Sequence, residues 1–171
     1  MRKKTLELIK LDELNFHFKK PPLLVAGMAM MYYNLRESGK DIDLIVDRRD
    51  HKNLALFLKN EAIIFKGKYE VGYKDRPLLV DLYGDHGILF HKFEIWDNIM
   101  KYGYDELKKD AIKEKGLLII SLEKLMFLCT IRGAFKKRYL DDALLIAKHL
   151  TDKKYQRYKH KSTSYWRKLL K

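Results

Sequence analysis

The sequence predicts an α+β protein in which a mixed β-sheet is flanked by helices and followed by a C-terminal helical extension. Up to about residue 115, short apolar runs bounded by glycine, proline or charged residues alternate with segments of helical spacing. From Gly116 onward, one short strand is followed by amphipathic helices and a basic tail. We therefore expect an α/β domain over residues 1–115 and a helical part over residues 116–171.

Charge and cysteine content limit the classes of protein to consider. The 171 residues include 36 Lys and Arg against 23 Asp and Glu, a formal charge of +13. This excess favours a polyanionic partner, although a surface that serves only solubility would have the same composition. Cys129 is the only cysteine, which excludes an intrachain disulfide and a multi-cysteine zinc site. The N-terminus lacks the apolar core of a signal peptide, and the longest apolar stretch is too short to span a bilayer, so we expect a cytoplasmic protein without a membrane partner.

Hydrophobic spacing and punctuation by Gly, Pro and Ser predict the order of the elements. In the first part we expect a helix over Thr5–Lys19, a strand over Leu23–Ala26, a helix over Met28–Arg36, a strand over Ile42–Val46, and a helix capped by Asp47 or Asp50 that runs to Asn60 with Leu54, Phe57 and Leu58 inward. Next come strands over Ala62–Phe65, Tyr69–Tyr73 and Leu78–Leu82, one more short strand, a polar helix over Asp105–Lys115, a strand over Leu117–Ile120, and helices over Ser121–Arg132 and Arg138–Leu150.

Two carboxylates stand at the entrance of the predicted strand Ile42–Val46. Asp41 and Asp43 point to the same side of the strand, while Ile42 points into the core. Carboxylates this close repel one another unless a cation lies between them, and Mg²⁺ takes oxygen ligands while leaving room for substrate phosphates. Asp81 ends another apolar strand and completes the set if the two strands are neighbours, which would supply the ligands for two-metal phosphoryl transfer. The alternative is that each Asp marks a strand end or a helix cap.

A glycine between the first strand and the next helix supplies a second part of such a site. Gly27 lets the backbone approach a phosphate, and the helix that follows begins with unpaired N–H donors. A simple tight turn is the alternative. A P-loop is excluded because Gly39-Lys40 is followed by Asp41 rather than Ser or Thr, and because Asn34 stands where the first glycine should be.

The order of these features resembles the nucleotidyltransferase superfamily that includes DNA polymerase beta, and in particular the abortive-infection toxin nucleotidyltransferases of prokaryotes. Those proteins show Gly-Gly or Gly-Ser, a small residue two positions on, an Arg, a Ser or Thr, and then Asp-Ile-Asp. The corresponding residues here are Ala26-Gly27, Ala29, Arg36, Ser38 and Asp41-Ile42-Asp43. The segment SLEKLMFLCTIRGAFKKRYLDDALLI, residues 121–146, is also similar to the helical segment that follows the domain in such proteins.

The resemblance implies the nucleotidyltransferase fold and transfer of a nucleoside monophosphate from a nucleoside triphosphate, such as ATP, to a hydroxyl acceptor. Asp41 and Asp43 would hold one or two Mg²⁺ ions, replaceable by Mn²⁺, and Asp81 would bind the second ion and help to deprotonate the acceptor. Ala26, Gly27, Met28 and Arg36 would place the triphosphate. Two departures from the family pattern are the missing second Gly or Ser at Met28 and Cys129 in place of a frequent lysine. The alternative is a non-catalytic module of the antitoxin or regulatory type that keeps the fold and binds nucleic acid or a protein partner.

The basic tail and the net charge predict that the acceptor is RNA, for example a tRNA end. We expect Lys153, Lys154, Arg157 and Lys161 to bind its phosphates. The tail aromatics Tyr155, Tyr158, Tyr165 and Trp166 either stack on bases or anchor a terminal helix. Lys136, Lys137 and Arg138 either contact phosphates or begin a solvated helix. We interpret His86 and His91 as loop residues and Cys129 as a core residue, and an antitoxin-like protein is a further candidate partner.

Overall fold

The structure, a computed structural model, describes residues 2–39, 41–58, 63–66, 70–73, 76–79, 86–134 and 136–158. The chain divides into two compact units, residues 1–121 and residues 122–171. The first unit contains a mixed β-sheet with helices, and the described part of the second is helical. The α+β class and the C-terminal helical part are thereby confirmed.

Helices lie in both units. In the first unit they are α1 (Arg2–Leu8), α2 (Ala26–Tyr32), α3 (Arg48–Phe57) and the single turn α4 (Tyr104–Leu107); in the second they are α5 (Leu122–Gly133) and α6 (Lys137–Tyr158). A short 3-10 helix, Leu11–Leu14, follows α1.

The described strands all belong to the first unit. They are β1 (Leu23–Leu24), β2 (Ile42–Ile45), β3 (Ile63–Lys66), β4 (Glu70–Tyr73), β5 (Arg76–Leu79), β6 (His86–Phe90), β7 (Phe93–Trp96), β8 (Asn98–Ile99), β9 (Tyr102–Gly103), β10 (Ile112–Glu114) and β11 (Leu117–Ile119). Seven of them form one sheet in the order β10-β11-β1-β2-β7-β6-β3, while β4–β5 and β8–β9 are separate hairpins.

Strand β2 lies at the centre of the seven-stranded sheet between two neighbours of opposite direction. It runs antiparallel to β1, with Leu24 opposite Leu44, and parallel to β7, with Ile42 beside Phe93. The end of β1 and the beginnings of β2 and β7 therefore meet at one edge of the sheet.

One face of the sheet is buried along the whole length of β2 and β7, and the other face is open at one end. Ile42 and Leu44 of β2, together with Phe93 and Ile95 of β7, are at most 2% exposed. These four residues alternate with residues that face the other way, as the pleat requires. The acidic side chains among the latter are only half-buried.

The N-terminal helix is shorter than predicted. It ends at Leu8 rather than Lys19, and the chain continues through the 3-10 helix and then without regular structure to Lys20. Leu14 is buried at 1% exposure, and Asn15 follows with a φ of 45°, which stops a helix from continuing. The apolar spacing that suggested one long helix instead reflects apolar side chains that are buried although their segment has no long regular helix.

The region over residues 84–115 differs most from the prediction. Instead of one strand and a polar helix, it contains the β6–β7 hairpin, the β8–β9 hairpin, the single turn α4 and the edge strand β10. The prediction of a helix over Asp105–Lys115 is therefore wrong. The turn between β6 and β7 contains His91 with a φ of 52°, which accounts for a tight connection without glycine.

Other boundaries differ by smaller amounts. Strand β11 belongs to the sheet of the first unit, where it runs parallel to β1. Helix α3 contains Leu54 inward as predicted, but Phe57 is 54% exposed and lies with its ring centroid 6.0 Å from that of Phe16. The expected turn between β3 and β4 at Gly67-Lys68 lies outside the described residues, and β3 pairs with β6 rather than with β4.

A cluster around Lys20 fixes the start of α3. Asp47 is the N-cap of α3, accepting a hydrogen bond from the backbone N–H of Arg49 at 3.0 Å, and its Oδ2 lies 2.6 Å from the Lys20 Nζ. The backbone N–H of Lys20 donates to Asp50 at 3.1 Å. Burial raises the pKa of Tyr104 to about 12, and its hydroxyl donates to the Pro21 carbonyl at 2.7 Å. These contacts tie the segment before β1 to the end of β2.

Removing the Asp47 side chain should destabilise the first unit. Asp47→Ala removes the helix cap and the partner of Lys20, and we expect the free energy of unfolding at neutral pH to fall by about 1–2 kcal/mol. The hydrogen bond from Lys20 lowers the pKa of Asp47 below its usual value of 3.8. The stability that depends on this charge is therefore complete above that value and is lost as the pH falls through the lowered pKa.

Urea denaturation of wild type, Asp47→Ala and Asp47→Asn at neutral pH and at about pH 3 separates the two roles. Asn retains a side-chain oxygen that can cap the helix but has no charge. The loss of unfolding free energy of Asp47→Asn relative to wild type should therefore shrink on acidification, while that of Asp47→Ala persists. A deficit of Asp47→Asn that is the same at both pH values would contradict the role of the charge.

Candidate functional site

The residues that the sequence predicts to be functional converge partly at the edge where β1 ends and β2 begins. The backbone N–H of Val25 donates to the Asp43 carbonyl at 3.1 Å, which places Ala26 and Gly27 next to the start of β2. On the other side, the backbone N–H of Ile42 donates to the Lys92 carbonyl at 2.7 Å. The first turn of α2, which contains Gly27 and is called the Gly27 turn below, the Asp-Ile-Asp segment and the start of β7 are thus held together by backbone hydrogen bonds.

A third carboxylate that the sequence did not predict lies at this edge. In the parallel pairing of β2 and β7, Asp43 is in register with Glu94. Residues in register on neighbouring strands point to the same face, so the two carboxylates lie side by side. Both are half-buried, whereas Asp41, which directly precedes β2, is exposed. Asp41, Asp43 and Glu94 are called the acidic set below.

The chain closes tightly over Gly27. A Cβ atom on Gly27 would lie 2.7 Å from the Ser38 Oγ, and an Arg36 guanidinium nitrogen lies 4.0 Å from the same point. Ala26 begins α2 with a φ of 50°, a conformation that costs an alanine roughly 1 kcal/mol. Three positions that carry the family resemblance, Gly27, Arg36 and Ser38, are therefore neighbours in space.

The other predicted nucleotide-binding residues occupy different environments. Met28 is buried at 3% exposure, so its side chain belongs to the core and only its backbone could face a nucleotide. Arg36 is exposed, and its Nη1 donates to the Glu37 carbonyl at 3.0 Å. An exposed guanidinium beside a glycine turn is suitable for contact with a phosphate.

The strand that precedes Asp81 does not neighbour β2. Both edges of β2 are taken by β1 and β7, and β5 pairs with β4 in a separate hairpin. The adjacency on which the assignment of Asp81 depended is therefore not present. Asp81 itself lies outside the described residues, and its participation stays a prediction.

The predicted nucleic-acid-binding residues fall near the end of α6 or beyond it. Lys153 is exposed, and Lys154 and Arg157 lie in the last turns of the helix. Lys161 lies outside the described residues. Their role stays a prediction.

The ligand chemistry of the acidic set suits Mg²⁺. Among the described residues, no three Asp, Glu, His or Cys side chains are grouped closely enough to hold an ion by themselves. Mg²⁺, however, is usually bound by one or two carboxylates together with waters and substrate phosphates rather than by a complete protein cage. Asp43 and Glu94, in register on neighbouring strands and both half-buried, are two carboxylates of the kind that such a site uses.

Glu94 has a signal in the sequence, although a weak one. It stands between Phe93 and Ile95 in the segment FEIW, an acid inside a period-two apolar pattern. Such a residue must point away from the core face, as Asp43 does. The sequence does not specify that β7 lies beside β2 with these two residues in register.

Comparisons with models of protein families, with curated proteins and with solved structures gave no match. Separately, none of the helices within the described residues is both long and apolar enough to cross a bilayer.

The close approach at Gly27 can be tested by a double-mutant cycle. Gly27→Ala places a methyl group against the Ser38 hydroxyl. In a Ser38→Ala background that hydroxyl is absent, and the contact with residue 38 becomes Cβ to Cβ at 3.7 Å, an ordinary distance. We expect the alanine at position 27 to be better tolerated in that background by about 1 kcal/mol of unfolding free energy.

Gly39→Ala is the matched control, because no atom of the described residues lies within 4 Å of its added Cβ, and its effect should not depend on Ser38. Chemical denaturation of the single and double variants gives the coupling energy. A coupling energy of zero between positions 27 and 38 would contradict the described turn.

Proposed function

We propose that this protein is a magnesium-dependent nucleotidyltransferase that transfers a nucleoside monophosphate from a nucleoside triphosphate to a hydroxyl acceptor, with RNA as the acceptor. The observation that carries the proposal is the meeting of the Gly27 turn with Asp43 and Glu94 at one edge of the sheet. Phosphate-binding backbone and cation-binding carboxylates are the two parts that phosphoryl transfer requires.

The proposed roles follow from the position of each group. Gly27 lets Ser38 and Arg36 approach the start of α2, where the exposed Arg36 guanidinium would pair with phosphate oxygens of the triphosphate. Asp43 and Glu94 would hold magnesium, which when bound neutralises the charge of the triphosphate, while the exposed Asp41 precedes them along the chain. The nearby Ser38 hydroxyl offers one further hydrogen-bonding group at the turn.

In the proposed reaction, the acceptor hydroxyl oxygen attacks the α-phosphorus, the bond to the bridging oxygen breaks, and pyrophosphate leaves. The hydroxyl proton passes to a carboxylate of the acidic set. Most of the catalytic effect then comes from holding the two reactants in line within a fixed arrangement of charges. Compared with the expectation from sequence, Glu94 takes the place proposed for Asp81.

The proposal of an RNA acceptor is supported by net charge. A formal charge of +13 attracts polyanions over a distance of about a Debye length, and RNA is the polyanion that carries hydroxyl groups. A protein or small-molecule acceptor would need no such excess of positive charge.

Binding of the nucleotide should stabilise the folded protein. A ligand that binds only the native state adds roughly 2.7 kcal/mol of stability at a hundred times its Kd, so a nucleoside triphosphate with Mg²⁺ should raise Tm. Asp43→Asn and Glu94→Gln should lose most of this rise, because each removes a ligand charge while keeping the shape of the side chain. Differential scanning fluorimetry with each of the four triphosphates, with and without Mg²⁺, measures the effect.

Asp110→Asn is the matched control. Asp110 is exposed and has a φ of 63°, a conformation that Asn tolerates as well as Asp does, so this variant should respond as the wild type does. The same variants are then incubated with each labelled triphosphate, Mg²⁺ and total RNA. A Tm shift without label transfer would favour the non-catalytic binding module, label on protein would replace RNA as the acceptor, and no Tm shift at millimolar nucleotide would contradict the proposal.

A further inference from the structure

The connection between α5 and α6 concentrates positive charge that the proposed reaction does not use. Between Glu123 and Asp141 the chain contains no acidic residue. Four basic side chains lie near the connection: Arg132 at the end of α5, and Lys136, Lys137 and Arg138 at the start of α6. We call these four residues the basic corner. Lys136, Lys137 and Arg138 are exposed, and Arg132 is half-buried.

Two of the four cations are held on one aromatic ring. The guanidinium carbon of Arg132 lies 4.5 Å from the centroid of the Tyr139 ring, and that of Arg138 lies 4.9 Å from it. A nitrogen of Arg138 also donates to the Tyr139 hydroxyl at 3.2 Å. Two like charges are thereby kept near each other, although their mutual repulsion would otherwise favour separation. Cation–π contacts also restrict the two arginine side chains before any anion binds. Binding then costs less side-chain conformational entropy.

The packing of the two helices fixes the position of the basic corner. A Cβ atom on Gly133 would lie 2.3 Å from the Leu140 Cδ2 and 3.4 Å from the Leu140 backbone nitrogen, so α5 and α6 approach closely where the corner lies. The first turn of α6 contains no acidic residue, and the positive end of the helix dipole adds partial positive charge to that of the side chains. The nearest acids along α6 are the exposed Asp141 and the half-buried Asp142. The four positive charges of the basic corner therefore outnumber these two negative charges.

From these observations we infer that the basic corner is a binding surface for the phosphate backbone of a nucleic acid strand. A nucleic acid strand carries one negative charge per nucleotide, so several phosphates can contact the four cations together. Guanidinium groups bind phosphate oxygens in bidentate geometry, which suits Arg132 and Arg138. Two guanidinium groups lie against the Tyr139 ring, so the ring is not presented to a base for stacking. The surface therefore recognises the phosphate backbone, independently of the base sequence.

This surface is distinct from the tail residues expected to bind nucleic acid, and it does not depend on nucleotide transfer. A direct test measures binding of a short labelled single-stranded RNA by fluorescence anisotropy at several salt concentrations, without nucleotide or Mg²⁺. Changing Arg132, Lys136, Lys137 and Arg138 to Gln should raise Kd at low salt by about tenfold or more and reduce the slope of log Kd against log salt by about two to three. DNA of the same sequence should bind within a few-fold of RNA, because phosphates are the groups contacted.

A matched variant removes the same charge elsewhere by changing the exposed Lys10, Lys52, Lys109 and Lys113 to Gln, and it should retain nearly wild-type affinity. Because Arg132 and Arg138 also contact Tyr139, the pair Lys136→Gln and Lys137→Gln tests the surface without altering those contacts, and it should produce about half of the change in slope. Circular dichroism verifies that each variant keeps its helices.

Several results would overturn the inference. An equal loss in the matched variant would mean that only net charge matters. An effect confined to Lys153, Lys154, Arg157 and Lys161 changed to Gln would place binding on the tail alone. Binding to vesicles that contain anionic lipid, without binding to RNA, would make the surface a membrane contact. Because RNA binding is measured without nucleotide or Mg²⁺, a failure of the proposed transfer reaction leaves this inference standing, and the reverse also holds.

Discussion

The position of β2 between an antiparallel and a parallel neighbour determines the chemistry that this fold can support. Antiparallel pairing brings the end of β1, and with it the Gly27 turn, back to the beginning of β2. Parallel pairing brings the beginning of β7 to the same place. If β7 ran antiparallel to β2, the half-buried Glu94 could still lie opposite a residue of β2. The turn between β6 and β7 would then no longer lie near Asp41. One hydrogen-bonding arrangement therefore assembles a glycine turn and carboxylates at one edge.

The two ends of β2 carry carboxylates that are used differently. At the far end, Asp47 is a helix cap and pairs with Lys20, and the pKa of Asp47 lies below its usual value because of that hydrogen bond. At the near end, Asp43 and Glu94 are neighbours in register on a half-open face. Carboxylates in such an arrangement repel one another, and a shared cation lowers that cost. Charge at one end of the strand thus caps a helix and pairs with Lys20, while charge at the other end forms the carboxylate pair to which we assign a cation under the proposed function.

The sequence was informative where a pattern was local. A short apolar run identified β2, one of the two caps predicted for α3, Asp47, is the observed cap, and the change of character from Gly116 identified the helical part. Register and strand partners depend on contacts between distant residues, and here prediction was poor. The apolar run that ends at Asp81 looked like a core strand but pairs within its own hairpin, while FEIW lay in a segment whose composition favoured neither helix nor strand. Glu94 was therefore missed for a topological reason, since nothing local distinguishes an acid beside β2 from one at any other strand.

The central claim is that Asp43 and Glu94 bind one cation together with the nucleotide. It is tested most directly by electron paramagnetic resonance of Mn²⁺ bound in the presence of a non-hydrolysable triphosphate, for wild type, Asp43→Asn, Glu94→Gln, Asp81→Asn and Asp110→Asn. The account predicts that the first two variants each weaken Mn²⁺ binding by about tenfold or more and that Asp110→Asn binds as the wild type does. Wild-type Mn²⁺ affinity in Glu94→Gln, with the loss appearing in Asp81→Asn instead, would contradict it.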